Sequence, residues 1–216
     1  MKTLKIDIVS DVMCPWCAIG YRALKQALEN LEGEVNAHLH WQPFELAPQM
    51  AREGEDLAEH LLNKYGFTLD QLKQNQANIE QRAQALGLPI RFFDGMKKYN
   101  TFDAHRLLHW AAEMGKQTEL KEALFALYFV EGGDPSDEGQ LIDLAGSVGL
   151  DRQVASEVLE SGLYAEHVRA QQAHYRNLGV TSVPTFIVND KYGITGGQPV
   201  AAFEQALREI AAKPAE

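Results

Sequence analysis

Cys14 and Cys17 are the only two cysteines in the 216-residue chain, and they stand in the C-x-x-C spacing where a strand pattern gives way to a helix pattern. Ahead of them Leu4, Ile6 and Ile8 alternate with Lys5, Asp7 and Val9, the mark of a strand buried on at least one face. Behind them Ile19, Ala23, Leu24, Ala27, Leu28 and Leu31 recur at helical spacing as far as Gly33. Both cysteines are therefore expected in the first turn of a helix that leaves a strand directly.

A helix start favours an anion, because its first N–H groups lack partners and its dipole is positive there. A cysteine so placed, in this spacing, has a pKa of about 3.5 to 7.5, against about 8.5 for a free thiol. Cys14, nearer the helix end and expected to be the more exposed, is the candidate nucleophile. Cys17, one turn further in, is the candidate buried partner that resolves a mixed disulfide. Pro15 suits a first helical position, where its missing N–H costs little, and Trp16 offers an apolar cover beside the sulfurs. Two other readings exist: a pair of small packed hydrophobes, or half of a zinc site. Zinc needs two more ligands, and there is no second C-x-x-C; only His105 and His109, at helical spacing, suggest a mixed site. Redox chemistry with no metal is the expected use of the pair.

The next segment, Val35 to Phe44, alternates again and completes a β-α-β unit, whose right-handed crossover places two parallel strands in one sheet. From about Gln49 to about Gly162 the periodicity is helical, with no convincing strand. Six helices are expected there, with Gly66, Gly87 and Gly115 closing the first three and Ser136 or Asp137, then Asp151, capping the last two. A helix from Leu163 to Leu178 follows. Two strands, Pro184 to Asn189 and Tyr192 to Gly196, then form an antiparallel hairpin, and a final amphipathic helix enters through Gln198 and Pro199. The tail from Lys213 to Glu216 is expected to fray. The fold class is thus α/β: a thioredoxin-like unit over 1–48 and 163–216, interrupted by a large all-helical insertion over 49–162.

The formal net charge of −10, with no basic stripe, argues against nucleic acid as a partner. No uninterrupted apolar run is long enough to cross a bilayer, and Met1 to Asp7 lacks the apolar run and cleavage site of a signal peptide. The expected compartment is the cytoplasm. A C-x-x-C pair there is more often catalytic or sensing than structural.

Three stretches carry a family resemblance. Cys14-Pro15-Trp16-Cys17, Tyr99 to Leu107, and Gly179 to Phe186 together resemble the DsbA family, and most of all its cytosolic FrnE-like dithiol–disulfide isomerase branch. The resemblance covers essentially the whole chain. It implies a DsbA-like thioredoxin fold, a cis Pro184 lying against the sulfurs, and a Val183 backbone free to pair with an extended substrate. It also implies a redox-active disulfide in place of any cofactor, protein or peptide thiols and disulfides as partners, glutathione as a further co-substrate, and a monomer or homodimer. His105 matches a family motif on an inserted helix expected to line the cleft, where a core or helix-packing histidine is the more ordinary reading than a chemical role. Pro15-Trp16 lacks the histidine found between the cysteines of strongly oxidising relatives.

Asp7 and Asp11 are the nearby carboxylates that could move a proton to and from Cys17; alternation places Asp7 on the side opposite Ile6 and Ile8, and a salt-bridged or solvated aspartate is an equal reading. Two competing functions remain in view. Kappa-class glutathione transferases and chromene-carboxylate isomerases share the layout, but usually carry serine at the catalytic position and no second cysteine. A redox-switched, chaperone-like module would use the insertion as a peptide groove.

Overall fold

The computed structural model of the chain describes residues 2–214. Its first elements are β1 (Lys2–Ser10), α1 (Pro15–Asn30) and β2 (Val35–Pro43). The two strands pair in parallel from Lys2 opposite Val35 to Ser10 opposite Pro43, as a helical crossover requires. Leu4, Ile6 and Ile8 are fully buried in one cluster with Ala23, Leu24 and Ala27 of α1. Each of these leucine and isoleucine side chains contributes about 1.5–3 kcal/mol by leaving water. Val9 faces the other way, against Tyr175 and Val180.

The chain then leaves the sheet. A short strand, β3 (Glu55–Asp56), leads into α2 (Leu57–Tyr65) and α3 (Leu69–Ala85). Asp56 caps α2 by accepting the Glu59 N–H, Gly66 closes it in the left-handed region, and Thr68 and Gln71 form a reciprocal cap on α3. A second short strand, β4 (Lys97–Lys98), pairs antiparallel with β3 and precedes α4 (Phe102–Glu113) and α5 (Gln117–Ala126). This ribbon was not expected, since two-residue strands leave no periodicity to read. Beyond it α5 does not simply stop: Leu127–Glu131 widen into a π-helical turn that Gly132 closes. The turn brings the Tyr128 hydroxyl onto the Lys97 carbonyl at 2.8 Å, fixing β4.

α6 (Glu138–Ser147) and α7 (Arg152–Ser161) begin at the caps Asp137 and Asp151. α8 (Ala165–Asn177) starts two residues later than its periodicity suggests, because Gly162 and Tyr164 both adopt positive φ. The chain then re-enters the sheet as β5 (Thr185–Val188) and β6 (Tyr192–Thr195) and ends in α9 (Val200–Ala212). Asn189 and Asp190, at φ 52° and 55°, make the tight turn between the two strands. β5 runs antiparallel to β1, giving the sheet order β2-β1-β5-β6. Ala215 and Glu216 lie outside the described residues.

Two contacts position the site. Gly20 lets α1 approach the other half of the chain, since a Cβ there would lie 3.1 Å from Pro184 and Phe186 side-chain atoms and 3.2 Å from the Gly197 Cα. At the opposite margin the Gln117 side chain covers the free edge of β2, accepting the Trp41 N–H and donating to the Trp41 carbonyl, both at 2.9 Å. That pairing lays α5 along the sheet edge.

Candidate active site

Cys14 is the N-cap of α1, with extended backbone, and Pro15 occupies the first helical position. Its carbonyl accepts the N–H groups of Cys17 at 3.0 Å and Ala18 at 3.4 Å, which starts the helix on the motif itself. The Cys14 Sγ lies 3.7 Å from the Val183 carbonyl oxygen, and the Val183–Pro184 peptide bond is cis. Among the described residues the Val183 N–H donates no hydrogen bond. Two segments about 170 residues apart in sequence therefore meet at one sulfur.

Both cysteines are thiols, and both are buried: Cys14 is 5% exposed and Cys17 fully enclosed. Cys14 is thus less open than its place at the helix end suggests. The β3–β4 ribbon closes in beside it, where the Tyr99 N–H donates to the Met13 sulfur at 3.4 Å. The two thiols are electrostatically unlike. Hydrogen bonding from Cys17 lowers the pKa of Cys14, outweighing burial, and the Lys98 charge lowers it further against the opposing Asp11. Burial pushes the Cys17 thiol up, and the Cys14 sulfur adds to the effect. One sulfur is prepared to be a thiolate and the other to stay protonated until called upon.

Asp11 is fully buried under this turn. Its Oδ1 accepts the Val12 N–H at 2.7 Å and its Oδ2 the Leu46 N–H at 2.8 Å, while His105 Nε2 stands 3.5 Å from Oδ1. His105 Nε2 is also 2.9 Å from the Phe44 carbonyl; a carbonyl only accepts, so that nitrogen carries the hydrogen. Burial raises the Asp11 carboxyl, but the His105 hydrogen bond, the charge of Lys98 and the Leu46 N–H hold it well below the usual carboxylate range. Asp11 is a fixed anion that organises the turn.

Asp7 does not join the sulfurs. It alternates with Ile6 and Ile8 and so faces away from α1, where it accepts from Gln42 at 2.7 Å and pairs with Lys5 at 3.0 Å. Trp16 is partly buried: a Cβ on Gly197 would sit 3.2 Å from its ring, and Arg82 of α3 lies 5.4 Å from its centroid. His109 packs against Tyr164 and His167, at 4.9 and 5.4 Å between centroids. No cluster of three or more metal-ligating side chains occurs among the described residues.

Two lysines went unread in the sequence. Lys98, on β4, is buried beside Asp11 and the cysteines; burial lowers its pKa while the charges of Asp11 and Cys14 support its cation. Nothing periodic marks it. Lys121, on α5, is 1% exposed and borders a cavity of about 140 Å³ with Trp41, Gln42, His105, His109 and Gln117. It had a signal: Lys121 shares its helix stripe with Leu124, Phe125 and Tyr128, so a charged residue interrupts an apolar face.

A fixed anion, a thiol poised as thiolate, a protonated thiol one turn away and a free backbone edge together suit thiol–disulfide exchange. Comparison with known proteins agrees. Residues 5–208 match the family model of the DSBA-like thioredoxin domain. The uncharacterized protein YwbO of Bacillus subtilis (strain 168) is 30% identical over 210 residues, which cover 96% of this chain and 97% of YwbO. Among solved structures, the probable DsbA oxidoreductase SCO1869 of Streptomyces coelicolor superposes with a TM-score of 0.89 at 32% identity, covering 99% of this chain and 92% of that one. The cytosolic disulfide reductase DsbM of Pseudomonas aeruginosa, solved with GSH, shares the fold, with a TM-score of 0.60 at 19% identity over 94% of this chain and 99% of DsbM.

Proposed function

The chain belongs to the DSBA-like thioredoxin domain family, a family of thiol–disulfide oxidoreductases, and from that premise we propose that Cys14 and Cys17 exchange disulfides with protein, peptide or small-thiol substrates. The observation that carries this reading is the unlike pair of thiols at the start of α1, with the Cys14 sulfur against Val183. The Cys14 thiolate attacks a substrate disulfide, one substrate sulfur leaves, and a mixed disulfide forms. Cys17 then attacks the Cys14 sulfur, the second substrate sulfur leaves, and two electrons have passed from the dithiol to the substrate; the reverse sequence oxidises a substrate dithiol. The free Val183 N–H and the Val183 carbonyl suit an extended segment laid alongside, as in strand addition.

Glutathione is the proposed small-thiol partner, and the cytoplasm the proposed compartment. The GSH-bound fold relative and the absence, among the described residues, of any helix long and apolar enough to cross a membrane are compatible with both. A FrnE-like dithiol–disulfide isomerase is the proposed branch. The second cysteine supports exchange over a glutathione-dependent transferase or isomerase, which needs only one activating group over the bound thiol.

The test is the redox equilibrium of the pair in glutathione buffers, read by trapping free thiols and weighing the products. A reversible Cys14–Cys17 disulfide is expected. A potential near about −120 to −180 mV marks oxidase or isomerase work and one near about −270 mV a reductant. A pair that never closes, with glutathione held noncovalently beside Cys14, overturns the proposal in favour of the transferase class.

A further inference from the structure

Burying an ammonium group is costly unless something takes up its charge. Lys121 is 1% exposed, and among the described residues it makes no hydrogen bond and no ion pair. Its Nζ lies 5.1 Å from the ring centroids of both Trp41 and Phe125, which offsets part of the cost but gives its N–H groups no acceptor atom. Nor do protein atoms seal the Nζ in, as they would an unpartnered group in a closed core. What Lys121 borders is the cavity of about 140 Å³ at the edge of β2, walled by α4, α5 and α8.

The lining of that cavity is unusual for so acidic a chain. Asp and Glu make up 30 of the 216 residues, yet among the described residues none of them lines it. Lys121 is its only lysine or arginine, and its other polar side chains are imidazoles and amides. Three of these are committed elsewhere: Gln117 to the Trp41 backbone, Gln42 to Asp7, and the Nε2 of His105 to the Phe44 carbonyl. Lys121 is thus left with His40, His109 and Gln171 to meet a ligand, against an apolar wall of Trp41, Leu108 and Ala112.

We propose that the cavity binds a small organic monocarboxylate, with its carboxylate oxygens on the Lys121 ammonium and its hydrocarbon part along Trp41, Leu108 and Ala112. One cation without a partner matches one negative charge, and a charge-assisted hydrogen bond is the strongest contact the lining offers. The apolar wall favours an organic acid over an inorganic oxyanion. Size limits the ligand to about six non-hydrogen atoms, since a cavity of about 150 Å³ holds one benzene. Burial brings Lys121 down to about 8, against the opposing charges of Cys17, Asp11 and Cys14, so the ammonium is the major form at neutral pH. Those charges act at a distance and leave its N–H groups unclaimed. His40, Gln42 and Gln171 also line an adjoining, more open groove, which gives the ligand its way in.

The probe is butyrate, a carboxylate of that size, with butyramide as its uncharged counterpart. Each is titrated at neutral pH and constant ionic strength into the ¹⁵N-labelled full chain. The Trp41 indole N–H, which donates to Thr118 Oγ1 at 3.1 Å, reports the cavity; the indoles of Trp16 and Trp110, which do not line it, are the internal controls. Butyrate is expected to shift the Trp41 signal saturably and to bind at least about tenfold tighter than butyramide, the scale of a hydrogen bond to a charged group. Lys121→Met, which keeps the apolar stem, is expected to weaken butyrate about ten- to hundredfold and to leave butyramide unchanged. No saturable shift with butyrate, equal affinity for butyramide, or undiminished butyrate affinity in the variant overturns the site. Should the variant not fold, the comparison of the two probes on the wild type decides alone. Binding is the readout, so the outcome does not depend on whether Cys14 and Cys17 exchange disulfides.

Discussion

His105 Nε2 stands 3.5 Å from Oδ1 of Asp11, so a helix of the long middle segment holds the turn that carries Cys14. The same nitrogen bonds the Phe44 carbonyl, and Asp11 bonds the Leu46 N–H, so the turn, the end of β2 and α4 are locked at one point. His105→Ala leaves a buried carbonyl without a donor and a buried carboxylate short of one. We expect a loss of about 2–4 kcal/mol in urea unfolding at pH 7. A loss within error of zero would show that the lock is not structural.

Asp11 also sets the acid limit of the fold. Its folded pKa is depressed below the unfolded value of about 3.9, so between the two the unfolded chain binds more protons and stability rises with pH. The contribution is fully present above about pH 5 and is lost as pH falls toward the folded pKa. Asp11→Asn is therefore expected to lie furthest below the wild type at neutral pH, the gap narrowing steadily below pH 4 or so. Urea unfolding curves across that range measure it, and a gap that does not change with pH would contradict the assignment.

The cysteines make opposite predictions when removed singly. Cys14→Ser removes the nucleophile, and exchange with small disulfides should vanish. Cys17→Ser leaves the nucleophile but no group to resolve the adduct, so mixed disulfides should accumulate on Cys14 and be visible by mass. Normal turnover by the Cys14 variant would remove the basis of the proposed function.

Much of this arrangement was legible in the sequence, for an identifiable reason. Residues that act through chain-local order announce themselves: Cys14 and Cys17 by spacing, α1 by periodicity, and the Asp137 and Asp151 caps by position. Alternation sets Asp7 opposite Ile6 and Ile8, as found, but does not say which face meets α1, so the choice between a proton-moving and a salt-bridged aspartate is not legible there. Lys98 was invisible because a two-residue strand and a π-helical turn, neither of which repeats, deliver it to the site. Lys121 lay between these cases, marked only as a charge in an apolar stripe.

Lys98 also makes a prediction of its own. Its cation is one of the influences that lower the Cys14 pKa, set against the anion of Asp11. Lys98→Met should raise that pKa and cut the thiolate fraction, slowing alkylation of Cys14 at pH 6 to 7 by roughly three- to tenfold. At pH well above the new pKa the difference should close, because both proteins are then thiolate. Equal alkylation rates at low pH would mean that the hydrogen bonding from Cys17 suffices.

Gly20 tests whether the approach of α1 to Pro184 is needed. In an open helix Gly→Ala stabilises, by roughly 0.5–1 kcal/mol. Here the added methyl would meet Pro184 and Phe186 at 3.1 Å and the Gly197 backbone at 3.2 Å, and Phe186 is fully buried, pinned against Phe203 at 4.9 Å between ring centroids. Overpacking of that kind costs about 1–3 kcal/mol, so it wins, and Gly20→Ala should lower stability by about 1 kcal/mol. Because the displaced partners are Pro184 and its strand, the separation of the Cys14 sulfur from Val183 should change as well. The variant's rate of mixed-disulfide formation should therefore fall even under conditions where it is fully folded. A variant at least as stable as the wild type and equally fast would show that α1 and the Pro184 loop can part without cost to the site.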